Sequence, residues 1–89
     1  MYIYEPKFPD DFLDYEVDFT AWLAGDTIAG LPIFAVNQGS VVVSNILTAN
    51  GIVVFWLAGG VSGENCVIDC EITTALGRVG NEQLQILIN

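Results

Sequence analysis

The sequence predicts an all-β protein: a small immunoglobulin-like antiparallel β-sandwich with an extended N-terminal arm. Three observations predict it. Apolar and polar residues alternate with period two over several short runs. Turn signals built on Gly, Asn and Pro separate those runs at regular spacing. No stretch sustains the i, i+3, i+4 apolar spacing of a helix.

Residues 1–12 read as an extended arm punctuated by Pro6 and Pro9, and residues 13–89 as the sandwich domain. Proline cannot donate to a central ladder, so the arm or a loose edge is its expected place. Tyr2, Ile3 and Tyr4 give the arm an apolar tip, and Lys7 lies further along it. From Asp14 the alternation is strict, with Tyr15, Val17 and Phe19 on one face and Asp14, Glu16, Asp18 and Thr20 on the other. Ala21–Asp26 breaks the pattern and predicts a tight corner or a single helical turn. Thr27–Val36 resumes as strand, with Gly30 and Pro32 marking a bulge or an edge. Asn37–Gly39 is a turn, and Val41–Leu47 a strand. Asn50-Gly51 is a type I′ hairpin signal.

Ile52–Leu57 is apolar at every position. Such a strand is covered on both sides or faces a partner. Ala58–Gly63 is a glycine loop. Asn65–Thr74 alternates again, with Cys66, Ile68, Cys70 and Ile72 inward. Ala75–Gly77 turns, and Glu82–Ile88 closes the chain with Leu84, Ile86 and Ile88 on one face. The total is six or seven strands.

Composition narrows the function. Lys7 and Arg78 are the only cations against eleven carboxylates, histidine is absent, and the formal net charge is −9. Nucleic-acid binding needs several cations to displace phosphate counterions, and an anionic membrane surface needs them too. Both partners are excluded. A basic or mixed protein surface fits, since charge steers encounter; the same acid excess also keeps an apolar chain in solution. Apolar residues make up 53% of the chain, with a mean hydropathy of +0.54. That is more than a lone sandwich of this size hides easily, so some of it is expected to meet a partner. The N-terminus has no basic stretch followed by an apolar one, and no apolar run is long enough to span a bilayer. Folding in a cytoplasm is expected.

Candidate chemistry is sparse. Cys66 and Cys70, four apart on one strand, stand roughly 13 Å from each other, beyond disulfide reach. Zinc lacks further soft ligands, so both read as small buried hydrophobes. Calcium needs six to eight converging oxygens, whereas the Asp14, Glu16, Asp18 row spaces its carboxylates about 7 Å apart. A glycosidase pair needs a cleft that a chain this short scarcely provides, and a Ser or Cys nucleophile has no base. Gly59-Gly60 and Gly63 are followed by a β pattern rather than a phosphate-binding helix. Trp22, Phe34, Phe55 and Trp56 offer a sugar platform or, more simply, core and interface. No enzyme, cofactor or metal is expected.

Two stretches, Leu13–Gly30 and Val54–Arg78, carry a family resemblance. Asp14-Tyr15, Asp18-Phe19, the LAGDTI run Leu23–Ile28, the WLAGG run Trp56–Gly60, Ile72–Thr74 and Gly77-Arg78 together resemble the small immunoglobulin-like fibre–tail adaptors of tailed bacteriophages. The resemblance implies a virion structural protein without catalytic residues, made in the host cytoplasm. Its partners would be tail, fibre or capsid subunits, met in several symmetry-related copies. Cys66 stands where this family usually has tyrosine, and a thiol cannot anchor a tyrosine corner.

The expected contact residues are Tyr2, Ile3, Tyr4, Phe8, Phe12, Val53, Phe55 and Leu57, with Asp10, Asp11, Asp14, Glu16 and Asp18 as an electrostatic rim. A fibre–tail adaptor is the first expectation. A capsid cement or decoration protein is the second. A carbohydrate-binding module using Trp22, or a calcium-dependent adhesion module, is the third.

Overall fold

The computed structural model describes residues 2–89; Met1, the first residue of the expected arm, lies outside the described residues. Seven strands and one helical turn follow in the order β1 (Tyr2–Ile3), β2 (Leu13–Asp18), α1 (Thr20–Leu23), β3 (Ile28–Gln38), β4 (Val41–Ala49), β5 (Ile52–Gly59), β6 (Asn65–Thr74) and β7 (Val79–Leu87). They form two sheets, β1-β7-β6-β3 and β2-β5-β4. All pairings are antiparallel except β1 with β7. The all-β sandwich predicted by the alternation is the fold.

Period-two burial follows the sequence on β6. Cys66, Ile68, Cys70 and Ile72 are buried, while the residues between them are half-covered or exposed. The two thiols are free and face the core. Leu84, Ile86 and Ile88 meet them from β7 and its end, and Val17 and Phe19 from β2 and the corner after it. The Asn50-Gly51 hairpin has φ of 53° and 82°, the paired positive values a type I′ turn requires. At Gly30 the φ of 74° lies inside the register break between Ala29 and Ile33, where the sequence predicts a bulge.

Strand β5 corrects one expectation. Its continuous apolar run leaves the inward face undetermined in sequence, and Val53, Phe55 and Leu57 are expected there to touch a partner. They are instead completely buried between the sheets. Their register explains it: Val53 stands opposite Val17, and Phe55 opposite Tyr15, on the inward face of β2. Phe55 lies 4.8 Å from Phe34 of the facing sheet, ring centre to ring centre. A one-residue change of phase exchanges the two faces of a strand, so the outward residues are Ile52, Val54 and Trp56, each half-buried.

The first dozen residues lie along the sandwich. Tyr4 N–H donates to Gln85 O and Lys7 N–H to Leu87 O, while Asn89 N–H donates back to Lys7 O. Lys7, expected in a loose arm, is 0% exposed. Its ammonium donates to the carbonyls of Gly59 at 2.6 Å, Phe8 at 2.8 Å and Pro9 at 3.4 Å. An ammonium carries three donors, and all three are answered by backbone.

Candidate functional site

The chain offers surfaces rather than a catalytic cleft. The outer face of the three-stranded sheet is ordered by register. Asp14 stands beside Trp56 and then Ser44; Glu16 beside Val54 and then Leu47; Asp18 beside Ile52 and then Ala49. An exposed acidic row on β2 therefore borders an apolar stripe on β5. Phe12, 50% exposed, extends the stripe by packing on Trp56 with ring centres 4.8 Å apart.

The loop carrying Phe8 and Phe12 is held in place by local bonds. Phe8 N–H donates to the Asp11 carboxylate, and Asp11 N–H donates to Phe8 O, both at 3.1 Å. With Lys7 anchored beneath it, this turn presents Phe8, Asp10 and Phe12 outward. Asp11 is half-buried and serves the turn.

The other expected contact residues are dispersed. Tyr2 and Tyr4 turn toward β2. The Tyr2 hydroxyl donates to Asp18 O and accepts from Asp18 N–H, both at 3.0 Å, and the Tyr4 hydroxyl donates to Glu16 O at 2.9 Å. Burial pushes the Tyr4 hydroxyl's pKa well above its ordinary value, with the nearby Tyr2 adding to the shift. Ile3 is exposed and lies on β1 of the other sheet.

Both cationic side chains are engaged internally, Lys7 as described and Arg78 at the opposite end. Arg78 lies over the Trp22 ring at 4.1 Å and donates to Leu23 O and Trp22 O, the last carbonyls of α1. It is 3.7 Å from Asp26. The Thr74 hydroxyl is the main cause holding the Asp26 carboxyl below its usual range, and Arg78 adds to it. Trp22 is held in place on two sides and is still 40% exposed: Arg78 lies over its ring, and a Cβ on Gly80 would come within 2.7 Å of it. The LAGDTI and ITT-x-x-GR motifs meet here as a structural corner.

Among the described residues no group of three His, Cys, Asp or Glu side chains is placed to hold a metal. Asp18 acts locally, where its carboxylate accepts from Thr20 N–H and from the Thr20 hydroxyl, and these bonds lower its pKa.

Two residues escape sequence reasoning. Trp56 reads from sequence as part of a sugar platform, of the core or of an interface, and is not singled out as a contact because the phase of β5 is undetermined. Glu64 carries no sequence signal at all. One of its oxygens accepts from Ser40 N–H, the Ser40 hydroxyl and Val61 N–H at 2.7–3.0 Å. The Ser40 hydroxyl is the main cause of its lowered pKa. Cys66 lies 3.7 Å from the same oxygen. Gly39 leaves the room it needs, since a Cβ there would collide with the Cys66 thiol. Glu64 thus ties together the two loops at this end.

The family described as podophage GP4 fiber-tail adaptor protein gp77 matches residues 7–87. The match begins at the buried Lys7 and takes in every element except β1. No curated protein matches the chain.

Proposed function

The chain belongs to the podophage GP4 fiber-tail adaptor family, a family of structural phage proteins, and on that premise we propose that it is a non-enzymatic docking element of the virion tail. It binds a neighbouring subunit through the outer face of β2 and β5 and the Phe8–Phe12 turn. Phe8, Phe12, Val54 and Trp56 form the apolar centre, and Asp10, Asp14, Glu16 and Asp18 form the rim.

The observation that carries this reading is the pairing of an acidic row with an apolar stripe in a chain whose two cationic side chains are both occupied. The carboxylates of Asp14 and Glu16 are exposed, with both cations engaged elsewhere. A partner that brings lysines or arginines to this edge and apolar groups to Trp56 complements it in both charge and shape. Aromatic anchors at the centre of such a patch carry much of the binding energy.

The test is the loading of particles assembled with variant protein, read by electron cryomicroscopy as copies at the tail. Trp56→Ala with Phe12→Ala is expected to abolish loading. Asp14→Asn with Glu16→Gln is expected to weaken it and flatten its salt dependence. Normal loading of both variants overturns the reading. Hundreds of copies on the head shell would replace the adaptor with a cement protein.

A further inference from the structure

We propose that the outer face of β2, β5 and β4 receives a single amphipathic α-helix of the neighbouring subunit, lying along the strands with its basic flank over β2 and its apolar flank over β5 and β4. The inference rests on the tail-docking reading above and deepens it. It names the element that docks and extends the footprint across β4 to Leu47.

The first observation is how the face is divided. By register, β4 adds Val42, Ser44, Leu47 and Ala49 beside the outward residues of β5. Leu47 is 65% exposed and Val42 60%. Asp14, Glu16 and Asp18 stand in one line on β2, while β5 and β4 contain no Asp, Glu, Lys or Arg. The boundary between charge and hydrocarbon therefore runs lengthwise, parallel to the strands. The outer face of the other sheet is divided differently. There Asp69 and Glu71 lie on the inner strand β6, between Ala35 and Ile33 of β3 and Gln83 and Asn81 of β7, so charge sits at the centre and no apolar stripe runs beside it.

The second observation is that both edges of this sheet resist pairing. At β2 the Tyr2 and Tyr4 hydroxyls occupy Asp18 N–H, Asp18 O and Glu16 O. At β4 the bulge around Asn45, whose φ is 51°, interrupts the edge. Strand addition, the usual way an extended segment attaches to a sheet, is blocked at one edge and broken at the other. A partner segment therefore comes onto the face. A lone extended segment there would press unpaired N–H and C=O groups against Trp56 and Val54, and burying such groups without partners is costly. A helix arrives with its backbone already hydrogen-bonded.

Dimensions and charge fit one helix. The acidic line from Asp14 to Asp18 runs about 14 Å, and β2 and β4 lie about 10 Å apart. A helix of about ten residues is about 15 Å long and, with its side chains, roughly 11 Å across. Lys or Arg at i, i+4 and i+7 then follow the β2 line, and their long stems let the charged heads reach it from the helix flank. The adjoining apolar stripe of the same helix rests on Trp56, Val54 and Leu47. The lengthwise boundary also fixes the direction of the helix. Turned end for end on the face, its basic flank would lie over Leu47 and its apolar flank over the three carboxylates, leaving charge unpaired on both sides.

The test uses particles assembled with the full chain carrying the photo-crosslinker p-benzoylphenylalanine in place of Ser44 or of Ala49. These positions stand beside Trp56 and Ile52, about 14 Å apart along the face. Mass spectrometry identifies the partner residue captured from each. A helix covers that distance in about nine residues and an extended strand in about four. The expected result is two captured sites about nine residues apart in one segment of a tail subunit. A separation of about four, capture in two separate segments, or no capture in loaded particles overturns the helix. Leu47→Lys, with circular dichroism confirming an intact fold, is expected to lower loading roughly tenfold, and Leu47→Met to retain it. Normal loading of Leu47→Lys ends the footprint at β5 and also overturns the inference. These outcomes leave the docking face standing; normal loading of Trp56→Ala with Phe12→Ala removes the docking face itself.

Discussion

On the β1/β2 flank the last row of side chains over the core is Tyr2, Tyr4 and Tyr15; on the β3/β4 flank it is Ile28, Phe34, Val43 and Ile46. The first row ends in hydroxyls, and those of Tyr2 and Tyr4 bond the backbone of the facing sheet. They occupy edge groups of β2 that would otherwise solicit another strand. The second row ends in hydrocarbon and stops at the solvent. The first flank also borders the acidic row, while the span that builds the second contains no Asp, Glu, Lys or Arg. One sandwich therefore has a flank closed from within by hydroxyls and a flank whose last apolar row stays partly open to solvent.

The largest effect expected from breaking this comparison is at Lys7, the anchor of the segment that closes the first flank. Lys7→Ala strands three carbonyls around a buried void and is expected to cost about 3 kcal/mol in denaturant unfolding. Lys7→Met, which refills the void, is expected to recover part of that loss. Smaller losses are expected at the hydroxyls. Tyr4→Phe should cost about 1 kcal/mol, and Tyr2→Phe should also speed hydrogen exchange at the Asp18 amide. If Tyr4→Phe leaves stability unchanged, the flank is closed by ring packing alone.

The pH response sharpens the contrast further. The Tyr4 hydroxyl's pKa is raised by burial, and that of Tyr15 is raised too. A raised value in the folded state stabilises the neutral form. That stability is complete below the unfolded value of about 10 and is lost as pH rises through the folded one. Alkaline titration is thus expected to loosen the β1/β2 flank first, seen as earlier hydrogen exchange in β1 than in β4. The carboxyls of Asp26 and Glu64 behave oppositely. Their lowered values stabilise the fold above the usual carboxylate range, and that contribution disappears as pH falls through their folded values. The smallest effect is on the open flank. Leu31, 72% exposed, packs on little, and Leu31→Ser should change stability by less than about 0.5 kcal/mol in denaturant unfolding.

Legibility in the sequence follows how much pattern each segment contains. Strand β6 alternates with polar residues, and its inward face, Cys66 to Ile72, is readable directly. The Asn50-Gly51 hairpin and the Ala21–Asp26 turn are equally plain, because only certain residues tolerate those backbone angles. Strand β5 is not, because IVVFWL reads the same in either phase. Sequence alone therefore assigns contact to its buried face and passes over Trp56 on the true outer one. Lys7 is misplaced for a related reason. A lysine between two prolines looks solvated, and nothing local indicates that the carbonyl of Gly59, fifty-two positions away, will meet it.

What the sequence determined by itself was the all-β class, the positions of the turns and the acidic face of β2. Each of these depends on local periodicity or on backbone preferences that a few neighbouring residues express. Only the tertiary structure decided which side of β5 is the core, where Lys7 and Arg78 are satisfied, and that one flank is closed while the other is open. These depend on register between strands far apart in the chain. That register is set by how the two sheets bury their common core, and no single segment encodes it.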